Sequence, residues 1–266
     1  MGTWDNISTN WQYVLPPSRP NDSELKRIKE FICDYSINEP VAVLGSTIEY
    51  RDLLYSMGFK KVYVFEKNIS FHNSLNSWKI YPNDNEIIIE GDWIETISQY
   101  CSFFNFCLSD LTMGNISYDN RKTFYSSISN SLKFGGIFLD KVLTNEIPLI
   151  TIDQIYNKYN NLTVNLKSIN DFSCEALFCS TMLNDGIVNT SDIYMKLNKL
   201  FINNHRLLKF VEKAHLITPE NCIWYYGKPW NELKDEYFSF FARSISFDDI
   251  ADSPYYKRAK HFINYK

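Results

Sequence analysis

Two residues that end consecutive apolar runs carry the clearest chemical signal in this chain. Gly45 ends the run that begins at Val41, Glu66 ends the run that begins at Lys61, and a helical pattern separates them. A glycine at a strand end lets the backbone approach a ligand closely, and the start of the following helix offers unpaired amide hydrogens. An acid at the end of the neighbouring strand can accept both hydrogens of a ribose diol. Together the two positions predict a nucleoside site.

The glycine-rich fingerprint that holds a pyrophosphate does not occur at this position. Gly45 is followed by Ser46, Thr47, Ile48 and Glu49, where a dinucleotide site would have the pattern GxGxxG. Because few glycines bring backbone amides close to a diphosphate here, we expect a nucleoside ligand without phosphates.

Strand and helix patterns alternate through the first half of the chain. Apolar runs predict strands at Val41–Gly45, Lys61–Glu66, Glu86–Glu90, Phe103–Ser109 and Gly136–Leu143. Helical patterns precede or separate them, at Asp22–Tyr35, Ile48–Met57, Ser70–Trp78, Trp93–Tyr100 and Asp119–Leu132. Such alternation requires a parallel sheet with right-handed crossovers, whose ligand lies at the carboxyl ends of the strands.

After residue 145 the pattern changes. Residues 151–215 are mostly helical in pattern, and residues 219–231 form an aromatic loop. Two final strands are predicted at Tyr237–Phe247 and Tyr255–Tyr265.

Five segments, in order, resemble the motifs of class I S-adenosylmethionine (SAM)-dependent methyltransferases. They are VAVLGSTIEYRDLL, VYVFEKN, IIIEGDWIE, FNFCLSDLTMGNI and SLKFGGIFLDKV, which together cover about residues 38–145. Their order and strand spacing carry the resemblance, because no single motif is specific. The resemblance implies SAM as the cofactor. The fold class expected is α/β, a Rossmann-like doubly wound sheet of about seven strands, mostly parallel, with a C-terminal antiparallel pair and a helical insertion.

The same resemblance implies roles for individual residues. Glu66 would bind the ribose, Asp92 would accept from the adenine amino group, and Trp93 would pack on the ring. Asp110 would lie near the methyl donor. The cofactor site is expected to comprise Trp11, Gly45, Ser46, Thr47, Glu66, Lys67, Asp92, Trp93, Asp110 and Leu111.

Two positions depart from the family pattern. Ile48 stands where this variant of the first motif usually has a proline. The usual acid of the first strand is replaced by Val43 or Leu44. A different group must then hold the methionine amino group, either the Gly45 carbonyl or a side chain of the N-terminal segment.

The N-terminal segment is expected to cover the site. Three prolines within residues 1–22 predict irregular structure there. Trp4, Trp11 and Tyr13 could close over the cleft, and Arg19 could hold a carboxylate. We therefore take Asp110, Arg19 and Tyr13 as the candidates for catalysis. The expected division is a lid and first helix at 1–37, a SAM-binding core at 38–145, an insertion at 146–236 and closing strands at 237–266.

The sequence leaves three functions open. The first is a methyltransferase acting on a small molecule, with the aromatic segment CIWYYGKPW forming the acceptor pocket. The second uses SAM as a donor of another alkyl group or cyclises it. The third is a SAM-binding subunit without catalysis, which the altered first motif favours.

Composition excludes several other classes. With 27 basic and 31 acidic residues the net charge is −4, and the fourth motif, Ser109–Thr112, is not NPPY-like, so nucleic acid is not expected as a partner. The six cysteines show no CxxC spacing, which indicates reduced thiols in a cytoplasmic protein and no metal site. Neither a signal peptide nor a stretch of 18 apolar residues occurs, so a membrane is not expected as a partner either.

Overall fold

The computed structural model describes residues 3–81, 86–144, 149–180, 182, 186–226, 228–248 and 259–266. Its strands are β1 (Val41–Leu44), β2 (Val62–Glu66), β3 (Ile87–Glu90), β4 (Phe104–Asp110), β5 (Leu132–Leu143), β6 (Ile187–Asn189), β7 (Ile223–Tyr225), β8 (Arg243–Asp248) and β9 (Ala259–Tyr265). Its α-helices are α1 (Thr3–Thr9), α2 (Asp22–Ile32), α3 (Ile48–Ser56), α4 (Ile69–Leu75), α5 (Trp93–Ile97), α6 (Arg121–Ser131), α7 (Ile152–Tyr159), α8 (Leu166–Phe178), α9 (Thr190–Leu200), α10 (His205–Ala214) and α11 (Trp230–Phe238).

Seven of these strands form one sheet in the order β3-β2-β1-β4-β5-β9-β8, and β6 pairs with β7 in a separate small sheet. Strands β1 to β5 are parallel, β9 is antiparallel to β5, and β8 is antiparallel to β9. This α/β, Rossmann-like architecture confirms the predicted fold class. The chain moves outward from β1 to β3 and returns on the other side at β4, so the strand order reverses between β1 and β4.

Helices cover both faces of the sheet. Val43 packs with Ile28 of α2 and Leu54 of α3 on one side, whereas Leu44 lies in the cluster of Phe124 of α6 on the other. Because successive side chains of a strand point to opposite faces, a strand covered on both sides is apolar throughout. This explains why β1 reads as an uninterrupted apolar run.

The helices of residues 149–226 form a second apolar cluster. Tyr159, Phe172 and Phe210 lie at its centre, with ring centroids 5.1 to 5.4 Å apart. Leu143 at the end of β5 and Tyr226 beyond β7 belong to the same cluster, so it adjoins the carboxyl edge of the sheet.

Two predictions differ from the structure, and a third lies outside the described residues. Tyr237 does not begin a strand: it lies in α11, buried against the sheet, and β8 begins only at Arg243. The predicted start of the last strand at Tyr255 lies outside the described residues, and β9 is described from Ala259. The N-terminal segment is not irregular either, because α1 and a 3-10 turn at Trp11–Tyr13 precede the prolines.

A buried arginine joins three segments behind the cavity that is described below. The Arg51 side chain of α3 is fully buried, and it donates to both carboxylate oxygens of Glu86, at 2.8 and 2.6 Å, and to the Asn76 side chain. Burial raises the pKa of Glu86, but the bonds from Arg51 and Lys79 outweigh it and lower that pKa to about 2. The pair is therefore charged throughout the neutral range.

We expect Arg51→Met to reduce the free energy of unfolding by about 3–5 kcal/mol, since it leaves Glu86 buried without its main partner. Urea unfolding measures the loss. As a control, Arg27→Met removes an arginine that lies over the Phe247 ring at 4.4 Å and should cost about 1 kcal/mol or less. In the double variant Arg51→Met/Glu86→Gln part of the loss should be recovered; no recovery would contradict the assigned cause.

Candidate functional site

A cavity of about 560 Å³ lies at the carboxyl ends of β1, β2 and β4, beside the point where the strand order reverses. This volume is in the range of sites that bury a small ligand. All ten residues that the sequence proposes for the cofactor line it, namely Trp11, Gly45, Ser46, Thr47, Glu66, Lys67, Asp92, Trp93, Asp110 and Leu111. The fold therefore brings together residues that are up to 100 positions apart in the sequence, while their individual roles stay a prediction.

Gly45 and Trp93 form one corner of the cavity. Gly45 has φ +79°, a conformation that favours glycine, and its N–H donates to the Phe65 carbonyl. The Trp93 indole N–H donates to the same carbonyl, at 2.8 Å. A Cβ at position 45 would lie 3.9 Å from the Trp93 ring, so the backbone of Gly45 runs directly beside this indole.

Asp92 caps the helix that carries Trp93. Its Oδ1 accepts from the backbone N–H of Ile94 at 3.0 Å, and its Oδ2 lies 4.0 Å from Nζ of Lys67. The side chain thus has a structural role that fixes the start of α5, and one edge of its carboxylate faces the cavity rim.

Glu66 ends β2 with its carboxylate in the cavity wall and only 6% of the residue exposed. Oε1 accepts from the backbone N–H of Asn68 at 2.8 Å. Burial raises the pKa of Glu66, and hydrogen bonds from Asn68 and Ser46 oppose this. Its register partner on β3, Glu90, is exposed and lies outside the cavity lining. Two glutamates in equivalent strand positions therefore have different environments.

Ser46 is supported from behind by a neutral histidine. Its Oγ lies 3.0 Å from Nδ1 of His72, whose Nε2 is 3.4 Å from the Arg51 guanidinium. Burial and the charge of Arg51 lower the pKa of His72 to about 4. The imidazole is therefore uncharged at neutral pH and fixes the Ser46 side chain without adding charge to the cavity.

Asp110 ends β4 and lies in a buried group of charges. Its Oδ1 lies 3.3 Å from Nζ of Lys141, which also lies 3.1 Å from Oε1 of Glu24. Burial raises the pKa of Asp110 to about 7; Lys141 opposes the shift, and Glu24 and Glu49 add to it. Near neutral pH this carboxyl group can therefore gain or lose a proton.

The N-terminal segment covers the cavity. Trp4, Ile7, Trp11 and Val14 line it. The rings of Trp4 and Trp11 pack edge-on against Phe71, with centroids 5.3 and 6.3 Å apart. The predicted contact of this segment with the site is therefore present in the structure.

Two candidates for catalysis, Tyr13 and Arg19, do not line the cavity. Within the short turn at Trp11–Tyr13, Trp11 points inward and Tyr13 is 40% exposed. The Arg19 guanidinium lies 3.7 Å from Oε1 of Glu49, and its carbonyl accepts from Lys141, so the carboxylate that it faces belongs to the protein.

Several lining residues come from parts of the chain that showed no motif. Ile217 and Thr218 follow α10, and nothing in their sequence distinguished them, whereas Pro219 begins the predicted aromatic loop. The aromatic segment was a better guide, since Trp224 and Tyr226 both line the cavity. The Trp224 indole N–H donates to the side chain of Asn115, which also lines it, at 3.1 Å.

No family model and no curated protein matches the chain. Among solved structures it is similar to one from Rhodobacter sphaeroides that is described as a zinc-dependent alcohol dehydrogenase, with 15% identity, 99% of this chain and 97% of that chain covered, and a TM-score of 0.57. At this identity the similarity shows the fold alone. Among the described residues no group of three histidine, cysteine or acidic side chains is placed to hold a metal ion.

The chain is also similar, at lower TM-scores, to solved structures of methyltransferases. Haemonchus contortus phosphoethanolamine N-methyltransferase 2, in complex with S-adenosylhomocysteine, shares 12% identity over 99% of this chain and 57% of that chain, with a TM-score of 0.49. The CcbJ methyltransferase of Streptomyces caelestis shares 15% identity over 56% of this chain and 61% of that chain, with a TM-score of 0.45. In the described residues no helix is long and apolar enough to cross a membrane.

A second buried aspartate lies next to Lys141 on the opposite face of the sheet. Oδ2 of Asp140 accepts from the Tyr237 hydroxyl at 2.5 Å. Burial raises the pKa of Asp140 to about 7, although the bond from Tyr237 lowers it. Because this pKa is above the unfolded value, the group stabilises the fold fully at low pH and loses that contribution as pH rises through 7.

We therefore expect the stability of Asp140→Asn relative to the wild type to increase between pH 4 and pH 8. One pKa unit corresponds to about 1.4 kcal/mol, so the increase is on the order of 4 kcal/mol at most. Urea unfolding at a series of pH values measures it. A difference between variant and wild type that stays constant with pH would contradict the raised pKa.

Proposed function

We propose that this protein is a SAM-dependent methyltransferase that acts on a small-molecule acceptor. One observation carries the proposal: nine residues selected from four of the five sequence motifs, together with Trp11 of the N-terminal segment, line a single cavity at the reversal of strand order. In open α/β sheets this is the place where ligands bind.

The charges of the cavity support a nucleoside without phosphates. Its described lining includes the acids Glu66, Asp92 and Asp110, and as basic residue only Lys67 at the rim, whose side chain is 74% exposed. Such a wall would repel phosphate groups. It suits a ligand with a ribose and a positive charge, and SAM has both. The aromatic rings in the lining also favour a cation.

The residues have distinct tasks in this proposal. The Glu66 carboxylate accepts the ribose hydroxyls, Gly45 lets the ligand approach the backbone, and Trp93 with Asp92 forms the adenine wall. SAM supplies an electrophilic methyl group, so the protein mainly has to position the acceptor. The N-terminal segment excludes water from the reacting groups.

The acceptor lies on the side of the insertion in this proposal. Phe178, Ile217, Trp224 and Tyr226 give that side an apolar and aromatic surface. The cavity of about 560 Å³ has to hold the cofactor as well, and the remaining space suits a small acceptor.

One sequence feature favours a second candidate, a SAM-binding protein without turnover. Val43 and Leu44, which replace the usual acid of the first strand, are fully buried. Their side chains are apolar and therefore cannot hold the methionine amino group. Alkyl transfer other than methyl, or cyclisation of SAM, would use the same cavity. Measuring SAM binding and SAM consumption separately distinguishes a binding protein from an enzyme, because tight binding without consumption supports the binding protein. Where SAM is consumed, mass spectrometry of the products distinguishes methyl transfer from other alkyl transfer and from cyclisation.

We expect Glu66→Gln to weaken the binding of S-adenosylhomocysteine (SAH) at least tenfold in calorimetry. Hydrogen bonds to a charged group contribute about 1.5–3 kcal/mol, and the substitution removes the charge while keeping the shape. Glu90→Gln is the matched control, because Glu90 is the exposed register partner at the end of the neighbouring strand.

If both variants bind SAH as the wild type does, Glu66 does not hold the ribose. NAD is a useful second ligand, because an acid at the end of the second strand also suits the ribose of a dinucleotide. Binding of NAD in place of SAH would contradict the proposed cofactor.

We expect SAH to slow cleavage by chymotrypsin after Tyr13 at least severalfold. The reason is that Trp4, Ile7 and Trp11 pack on the ligand side of the cavity, so that a bound nucleoside adds apolar contacts to the segment. Phe134, which is 97% exposed on β5 and distant in sequence, provides an internal control whose cleavage should not change. Equal rates after Tyr13 with and without SAH would show that the segment is not a lid.

A further inference from the structure

The group of charges around Asp110 is not balanced. Lys141 is fully buried and lies between two carboxylates, those of Glu24 and Asp110, at 3.1 and 3.3 Å. Arg19 and Glu49 form a neighbouring pair of opposite charges, at 3.7 Å. With all of them ionised, one negative charge is left over.

Both carboxylate oxygens of Glu24 already have partners within the protein. Its Oε2 accepts from the backbone N–H of Asn21 at 2.7 Å, which completes the capping box of α2. Its Oε1 lies 3.2 Å from Nε2 of His261 as well as beside Lys141. The remaining negative charge therefore belongs to Asp110, the member of the group that lines the cavity.

The structure leaves one oxygen of Asp110 poorly satisfied. Oδ1 is buried and, among the described residues, accepts no hydrogen bond of good geometry; its contact with Lys141 is an ion pair at 3.3 Å. A buried carboxylate that shares its single ion-pair partner with a second carboxylate is incompletely compensated, and a positive group of a ligand would compensate for the rest.

We propose that the Asp110 carboxylate recognises the positive charge of the SAM sulfonium, so that the site prefers charged SAM to its neutral product SAH. This inference rests on the proposed function. It makes Asp110 a specificity-determining residue: after methyl transfer the sulfur is neutral, the contact is lost and the product binds more weakly.

Recognition of charge by this carboxyl group also couples binding to protons. The groups that face Asp110 from the surrounding elements, directly or through Glu24, are Glu24, Glu49, Tyr50, Lys141, Tyr226 and His261. In their presence the pKa of Asp110 is about 7, so the free protein is partly protonated there at neutral pH. A bound cation favours the ionised form, and the proton then leaves to the solvent.

The test is calorimetry of SAM, SAH and sinefungin, an analogue that has a protonated amine in place of the methyl sulfonium. At pH 7, titrations of the wild type in two buffers with different ionisation enthalpies should show release of about half a proton for SAM and sinefungin and markedly less for SAH. This measurement needs no variant.

Variants then identify the residue. We expect Asp110→Asn to lower the preference for SAM over SAH at pH 8 about tenfold, the size of one lost charged contact, and to abolish the difference in proton release. Asp140→Asn is the matched control, being an equally buried aspartate one position from Lys141 that does not line the cavity, and it should retain both properties.

Each other result overturns the inference. If Asp110→Asn weakens SAM and SAH equally, Asp110 holds the amino-acid part that both ligands share. Equal proton release for SAM and SAH in the wild type would likewise show that Asp110 does not respond to the charge of the sulfonium. If the wild type binds neither SAM nor SAH, the proposed function itself fails, and this result is distinguishable from the other two.

Discussion

Strand β1 is hydrogen-bonded to β2 on one side and to β4 on the other, and this pairing determines where the cavity lies. All three strands run in the same direction, so their carboxyl ends meet at one edge. Gly45, Glu66 and Asp110 follow or end these strands and therefore line one cavity. The strand order reverses here, so the following helices diverge and leave space for a ligand.

Buried charges are the second constraint. Lys141 of β5 and Glu24 of α2 are each fully buried, and their pairing joins β5 to α2. Removing charges from water is costly, and the cost is offset only when every member of the group has partners. Glu24 has such partners, whereas Asp110 has only Lys141. The incompletely compensated charge of the group is therefore the one that lies at the cavity.

The sequence predicted those features that depend on local pattern. Strands such as β1 and β2 are continuous apolar runs, and the cavity residues that end them follow from that pattern. Two kinds of feature did not follow from that pattern: contacts between distant parts of the chain and the local direction of single side chains. Arg19 has a partner on α3, a pairing that no local pattern contains, and Tyr13 points outward because a single 3-10 turn separates its direction from that of Trp11. Tyr237 was assigned to a strand because aromatic residues favour strands, yet it packs as part of α11 against β5.

The N-terminal segment and the charge at Asp110 are physically connected. Trp11 donates to Glu49 at 3.2 Å, Glu49 pairs with Arg19, and the Arg19 carbonyl accepts from Lys141, the partner of Asp110. A change of charge at Asp110 therefore acts on Lys141, and through Lys141 on the backbone of Arg19 at the end of the N-terminal segment. Conversely, removing the N-terminal segment would expose the Asp110 carboxyl group to water and weaken its interaction with any cation. In the proposed function, closure of the segment and recognition of charge therefore depend on each other, because water in the cavity would weaken the interaction of Asp110 with a cation.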